Sequence, residues 1–111
     1  MRKFAMNEDI LLRMVNNDHD ENIRMMALAK LGKEYWEYSN AAHDKSVNVR
    51  RFFAECGPLH LIRLMINDSD SEVRGWIARR IDLNDELMIK LSLDDSYLVK
   101  SIIIDRIILK P

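Results

Sequence analysis

Residues 67–80 read NDSDSEVRGWIARR, and part of this stretch recurs along the chain. Asp68 stands six residues before a base, Arg74, and the residue before that base is the β-branched Val73. The same three features occur in DHDENIR at 18–24, DKSVNVR at 44–50 and DDSYLVK at 94–100. The four aspartates are spaced by 26, 24 and 26 residues, and this near-constant period predicts an internal repeat.

Apolar residues at helical spacing flank each of these heptapeptides. The segments before them are DILLRMVNN, EYWEYSNAAH, LHLIRLMIN and ELMIKLSLD, and the segments after them are MMALAKL, RFFAEC, GWIARRI and SIIIDRIIL. This pattern predicts an all-α chain of eight short helices in four pairs, each pair joined by an Asp-bearing turn. The pairs, called units 1 to 4 below, span about 7–31, 33–57, 58–82 and 84–109 of a single domain covering 1–111.

The turns carry side chains that are suited to begin helices. Aspartate, serine and asparagine favour N-caps because their oxygens accept hydrogen bonds from nearby backbone N–H groups. We therefore expect Asn84 to cap the first helix of unit 4. Equivalent caps are expected on the second helix of every unit, at Asp20, Ser46, Asp70 and Ser96.

The second helix of each unit has a predictable buried face. With the base as position 0, positions −1, +2, +3 and +7 cluster on one arc of a helical wheel, and position +4 flanks it. We expect that arc to form the core and positions +1 and +5 to point away from it. In unit 3 the arc consists of Val73, Trp76, Ile77 and Ile81.

Composition limits the possible partners and compartments. The 111 residues carry a formal net charge of −1, and neither half has a basic excess, so charge alone does not favour a polyanion partner. The single cysteine, Cys56, cannot form an internal disulfide. The start of the chain does not resemble a signal peptide, and no apolar run approaches the length of a membrane span. We expect a cytoplasmic protein without a membrane partner.

These residues resemble the HEAT-like solenoids, and most closely their leucine-rich repeat variant. The resemblance rests on the recurring D-x-[DS]-x-x-V-R turn and on the connector RRIDLNDELMIKLSLDD at 79–95, and it covers about residues 8–109. It implies a right-handed α-solenoid of about four helix pairs that binds other macromolecules. The variant carries an iron–sulfur cluster on an N-terminal group of cysteines, which this chain lacks, so no cofactor is implied. The segment with Tyr35, Trp36 and Tyr38 departs from the Leu-rich pattern.

The repeated acids and bases allow two interpretations. Bases at one repeat position lie in a line along a solenoid and could form a phosphate-binding stripe. The favoured interpretation is a structural ladder, in which each base pairs with the turn aspartate of its own or a neighbouring unit. The residues of this ladder are Asp18, Arg24, Asp44, Arg50, Asp68, Arg74, Asp94 and Lys100.

The sequence shows no motif that is typical of a catalytic, metal or cofactor site. A Gly-rich phosphate loop and a serine nucleophile elbow are both missing, so we expect no enzyme. His19 and His43 flank turn aspartates and could in principle bind a divalent metal, but ordinary turn residues are the favoured interpretation. Cys56 precedes Gly57 and is expected to be a packed thiol. We therefore expect no catalytic, metal or cofactor site.

The favoured function is that of a non-catalytic protein–protein interaction module, either an adaptor or a small inhibitor or regulator of a larger assembly. The alternative is nucleic-acid backbone binding through helix-borne arginines, with Arg50-Arg51 and Arg79-Arg80 as the best pairs. The apolar last helix also suggests a homodimer through an exposed C-terminal patch. Candidate partner contacts are Arg51, Glu55, Arg79, Trp36 and Ile108.

Overall fold

The computed structural model describes residues 4–109, and within that range the chain forms helices and no strand. Three segments are 3₁₀-helical, Lys33–Tyr38, Ala41–His43 and Arg63–Met65. The described chain is elongated, with principal extents of 55 × 23 × 21 Å. The all-α prediction is confirmed. The α-helices α1 to α7 are Met6–Asn17, Glu21–Lys30, Val47–Cys56, Leu59–Ile62, Ser71–Ala78, Asp85–Ser92 and Tyr97–Arg106.

All five predicted N-caps are present. Asp20, Ser46 and Asp70 each accept a hydrogen bond from the backbone N–H two residues further on. Asn84 and Ser96 each accept one from the N–H three residues further on. These bonds satisfy backbone donors that a helix leaves unpaired in its first turn. The second helix of every unit, α2, α3, α5 and α7, therefore begins where the turn chemistry predicted.

The first halves of units 2 and 3 are helical, as predicted, but they are not regular α-helices. In unit 2 this half consists of the 3₁₀ segments Lys33–Tyr38 and Ala41–His43. Ser39, which follows the first segment, donates its hydroxyl to the carbonyl of Trp36 and thereby competes with helix continuation. The backbone N–H of Asn40 then donates to the Asn16 side chain of α1. In unit 3, α4 spans only Leu59–Ile62 before the 3₁₀ segment Arg63–Met65.

The buried arc of the second helices differs from the predicted one. Positions −1, +3 and +4 are buried in unit 3, as Val73, Ile77 and Ala78, whereas Trp76 at +2 is only half-buried. Ile81 at +7 is exposed because α5 ends three residues before it. The buried face of this helix is thus centred near position 0, which Arg74 occupies in unit 3.

Position +1 was expected to face solvent, and in unit 3 it does not. Gly75 is buried, and a Cβ atom built there would lie 3.4 Å from Ile102 Cδ1 and 3.5 Å from Leu98 Cδ2. Gly75 therefore faces α7, and these distances are ordinary van der Waals contacts. The second helices contact one another in chain order, α2 with α3, α3 with α5 and α5 with α7. Within residues 4–109, each helix is too short or too polar to cross a lipid bilayer.

Candidate functional site

Three buried ion pairs join successive Asp-bearing turns. Arg24 donates from Nε to Asp44 Oδ2 and from Nη2 to Asp44 Oδ1, both at 2.9 Å. Arg50 and Arg74 make the same kind of contact with the next aspartates along the chain. Those Nε–Oδ2 distances are 2.9 Å to Asp68 and 2.8 Å to Asp94. Each base therefore contacts the turn aspartate of the following unit.

The same guanidinium groups also reach back to their own turns. Arg24 Nη1 donates to the carbonyl of Asp18 at 2.9 Å, and Arg50 Nη1 donates to the carbonyl of Asp44 at 2.8 Å. A planar guanidinium can bond in both directions at once, which a lysine ammonium on a flexible stem does less well. Arg24 is only 4% exposed, so its guanidinium group contacts the protein and not solvent. A phosphate stripe would need these arginines to be free.

The pairing alters the protonation equilibria of the paired groups. Hydrogen bonding to Asp44 raises the pKa of Arg24, although burial opposes this effect. Burial alone would raise the pKa of Asp94, but the hydrogen bonds from Arg74 and from the Ser96 backbone, together with the charge of Arg74, outweigh it and hold that pKa below its usual range. Both groups are therefore charged at neutral pH.

The ladder is open at its two ends. Lys100 occupies the base position of unit 4, is exposed, and forms no ion pair with residues 4–109. Asp18 occupies the acid position of unit 1, and its carboxylate accepts only from the backbone N–H of Asp20 among described groups. The terminal positions thus carry opposite charges, and neither side chain forms an ion pair with residues 4–109.

Sequence reasoning missed a second set of arginine contacts. Arg80 donates to the carbonyls of Ala54, Glu55 and Gly57 at 2.8, 3.1 and 2.6 Å, and so caps the C-terminal end of α3. Arg106 does the same at the end of α5, donating to Ala78 O at 3.0 Å. The sequence did contain an indication of this shared role, because Arg80 and Arg106 are separated by 26 residues, as are the turn aspartates of units 3 and 4. Arg80, suggested as a phosphate ligand, is committed to these carbonyls.

A shallow groove of about 360 Å³ lies across α3, α5 and α7. Arg79 lies over the Trp76 ring, with Cζ 5.2 Å from the ring centroid, in a cation–π arrangement. Arg51 Nη1 lies 3.4 Å from Glu72 Oε2 at the other side. Arg51 Nε is shielded from solvent and has no acceptor among residues 4–109. The groove is lined by Arg51, Glu72, Trp76, Arg79 and Leu98.

The predicted contact residues do not form one surface. Arg51 and Arg79 line the groove, whereas Glu55 is exposed outside its lining. Trp36 was wrongly predicted as a contact, because it is only 2% exposed. Its ring packs on Phe53 with centroids 5.2 Å apart, and its indole N–H donates to Leu31 O at 3.0 Å. Trp36 is a core residue that also caps the end of α2.

The C-terminal apolar patch is present. Ile103 is buried, whereas Ile104 and Ile108 are 67% and 89% exposed. Ile107 and Leu109 are exposed beside them. Ile108 therefore lies at the C-terminal end of the molecule, apart from the groove.

The histidines and the cysteine form no recognisable reactive centre. His19 and His43 are exposed turn residues, and residues 4–109 contain no cluster of three or more histidine, cysteine or acidic side chains arranged to hold a metal ion. Burial, together with the charge of Glu55, raises the pKa of the Cys56 thiol. A raised pKa disfavours the thiolate, which is the nucleophilic form.

Comparisons of the chain with protein families, curated proteins and solved structures found no significant match.

Proposed function

We propose that the chain is a HEAT-like α-solenoid of four helix pairs that acts in the cytoplasm as a non-catalytic protein-interaction module. Its role is that of an adaptor, or of a small inhibitor or regulator of a larger assembly. The observation that carries this proposal is the groove across α3, α5 and α7. A tryptophan and two arginines converge there on a face that no described part of the chain covers.

The chemistry of the groove suits a protein partner. Trp76 offers a half-buried aromatic surface, and tryptophan and arginine are enriched among residues that dominate binding energy at interfaces. Leu98 adds apolar area at the same place.

The ladder supports a mechanism based on a preformed surface. Arg50 and Arg74 tie the turns before α3 and α5 to the next turns along the chain. Helices held in this way lose little conformational entropy when a partner binds, which favours affinity. The module would act by occupying the surface of its partner and not by chemistry.

The nucleic-acid alternative is less well supported. Of its two arginine pairs, Arg50 is bound to Asp68 and Arg80 is bound to backbone carbonyls. The remaining Arg51 and Arg79 share their groove with Glu72, whose charge would repel a phosphate. A phosphate-binding surface is instead expected to be mostly basic.

Affinity capture from a lysate of the source organism, with and without nuclease, tests the proposal. We expect wild-type protein to retain one protein at stoichiometric level regardless of nuclease. Trp76→Ala and Arg79→Glu should each lose it, because they remove the aromatic surface and reverse a charge of the groove. The matched control is Arg63→Glu, which reverses an exposed arginine beside α4, outside the groove.

Two results would contradict the proposal. Retention of the same protein by Trp76→Ala and Arg79→Glu would show that the partner binds elsewhere. Recovery only of nucleic-acid proteins that disappear with nuclease would favour the phosphate alternative, and such binding should also weaken steeply with salt.

A further inference from the structure

The exposure of position +4 shows which face of a unit is covered by the next unit along the chain. Position +4 of the second helix is buried in units 1 to 3, as Leu28, Ala54 and Ala78. In unit 4 the same position is Ile104, which is 67% exposed. Position +4 is therefore covered by the following unit, and the C-terminal end of the molecule presents it uncovered.

A second repeat position shows the face covered by the preceding unit. Position +2 is half-buried in units 2 to 4, as Phe52, Trp76 and Ile102. In unit 1 it is Met26, which is 67% exposed. The N-terminal end of the molecule thus presents the surface onto which a preceding unit would pack, with Ile10 of α1 exposed on the same unit.

Polar contacts between units have the same direction. Glu21 of unit 1 accepts from Ser46 Oγ and Asn48 Nδ2 of unit 2, each at 2.8 Å. The residue of unit 4 equivalent to Glu21 is Tyr97, which is exposed. In the ladder, Lys100 lacks a following aspartate among described residues, and Asp18 lacks a preceding base.

We propose that the C-terminal face of one copy, around Ile104 and Lys100, docks on the N-terminal face of a second copy, around Met26 and Asp18. The occupant is a second copy because the two faces are complementary in three ways. Each presents exposed apolar side chains, the charges of Lys100 and Asp18 are opposite, and a contact between Lys100 and Asp18 would repeat the pairing of base and aspartate between neighbouring units. The interface does not involve the groove, so it is independent of the proposed partner.

This arrangement is heterologous and differs from a two-fold dimer through α7. In a two-fold dimer the same patch meets itself, so Lys100 would not meet Asp18 and Met26 would stay exposed. In the head-to-tail arrangement each copy still has one free face of each kind. The association therefore continues to trimers and longer open chains as protein concentration rises.

Sedimentation velocity over a concentration series up to millimolar tests the proposal with two variants. Ile104→Glu destroys the C-terminal face and Met26→Glu destroys the N-terminal face, and both replace exposed side chains, so folding should be preserved. We expect wild type to form dimers and larger species, and each variant alone to stay monomeric. An equimolar mixture of the two variants should form a dimer and nothing larger, because only one complementary pair of faces remains.

The matched control is Ile81→Glu, which changes an exposed isoleucine of an internal unit and should leave self-association as in wild type. Lys100→Asp and Asp18→Lys should each weaken self-association, and the double variant should restore it. A wild type that stays monomeric throughout the series would overturn the proposal. Persistent dimers of Met26→Glu alone would overturn it in favour of the two-fold dimer. Trp76→Ala should self-associate normally whether or not the groove binds a partner.

Discussion

The two halves of the repeat differ in regularity. The second helices α2, α3, α5 and α7 contain 8 to 10 residues each, and each begins at an aspartate or serine cap. The first halves are a helix of 12 residues in unit 1, 3₁₀ segments in unit 2, a 4-residue helix in unit 3 and an 8-residue helix in unit 4. One half of each unit is thus nearly constant, whereas the other varies.

The difference arises because the features that recur in every unit lie in one half of it. The turn aspartate, the cap and the base all lie in the turn or in the second helix, so the buried ion pairs fix only that half. The first helices of units 1 and 3 begin after Ala5 and Pro58, whose side chains cannot accept a hydrogen bond. These two first helices are therefore positioned by packing, which tolerates several backbone forms, whereas the first helix of unit 4 has a cap at Asn84.

The largest loss of stability is expected when an arginine of the ladder is replaced. Arg24→Met should lower the free energy of unfolding by about 3–5 kcal/mol, because it removes the charged partner of the largely buried Asp44 carboxylate and leaves it only the Ser46 backbone N–H. Chemical denaturation at neutral pH measures this loss. The control is Arg13→Met in the first helix, whose ion pair with Asp9 is largely exposed and should contribute about 0.5 kcal/mol or less. Equal losses for the two variants would refute a structural role for the ladder.

Acid should weaken the same half of the repeat by protonating Asp94. Because the folded pKa of Asp94 is held below its unfolded value, its contribution to stability is complete above about pH 4 and is lost as the pH falls through the folded pKa. We expect Asp94→Asn to be less stable than wild type at pH 7 and to lose less stability on acidification. Denaturation curves at several pH values measure both slopes. Identical slopes would show that Asp94 does not drive the acid response.

The smallest expected changes in stability come from the N-caps, which differ between the two halves of the repeat. Asp70→Ala should cost about 1 kcal/mol of stability, because it removes the acceptor for the Glu72 backbone N–H at the start of α5. Ala5→Ser should instead stabilise the protein by a similar or smaller amount, since it supplies the missing cap to α1. Thermal unfolding of both variants checks the opposite signs, and destabilisation by Ala5→Ser would contradict the argument.

Much of the constant half could be predicted from the sequence. The period of the aspartates located the turns, and the hydrogen-bonding capacity of Asp70 and Ser96 located the helix starts. The side of the buried arc could not be predicted from hydrophobicity alone, because the buried arginine at position 0 counts as polar on a helical wheel. Gly75 is buried for a related reason, since its position faces the next unit and not solvent.

The variable half and the candidate site were less predictable. The 3₁₀ segments depend on local competition by Ser39 and on the burial of Trp36, and neither follows from apolar spacing. The groove depends on the distance between α5 and α7, which brings Leu98 to the Arg51, Trp76 and Arg79 side chains. Only Arg51 and Arg79 of the predicted contacts line it, because sequence periodicity places residues on a face but does not measure the space between helices.

The ladder also has a consequence for how the chain reaches its fold. The three buried ion pairs join residues that are only 20, 18 and 20 positions apart. Closing such short loops costs little chain entropy, and chains dominated by local contacts fold rapidly. Folding can begin at any of the three pairs and spread to the adjacent one, so its rate depends on neighbouring units and not on encounters between the two termini.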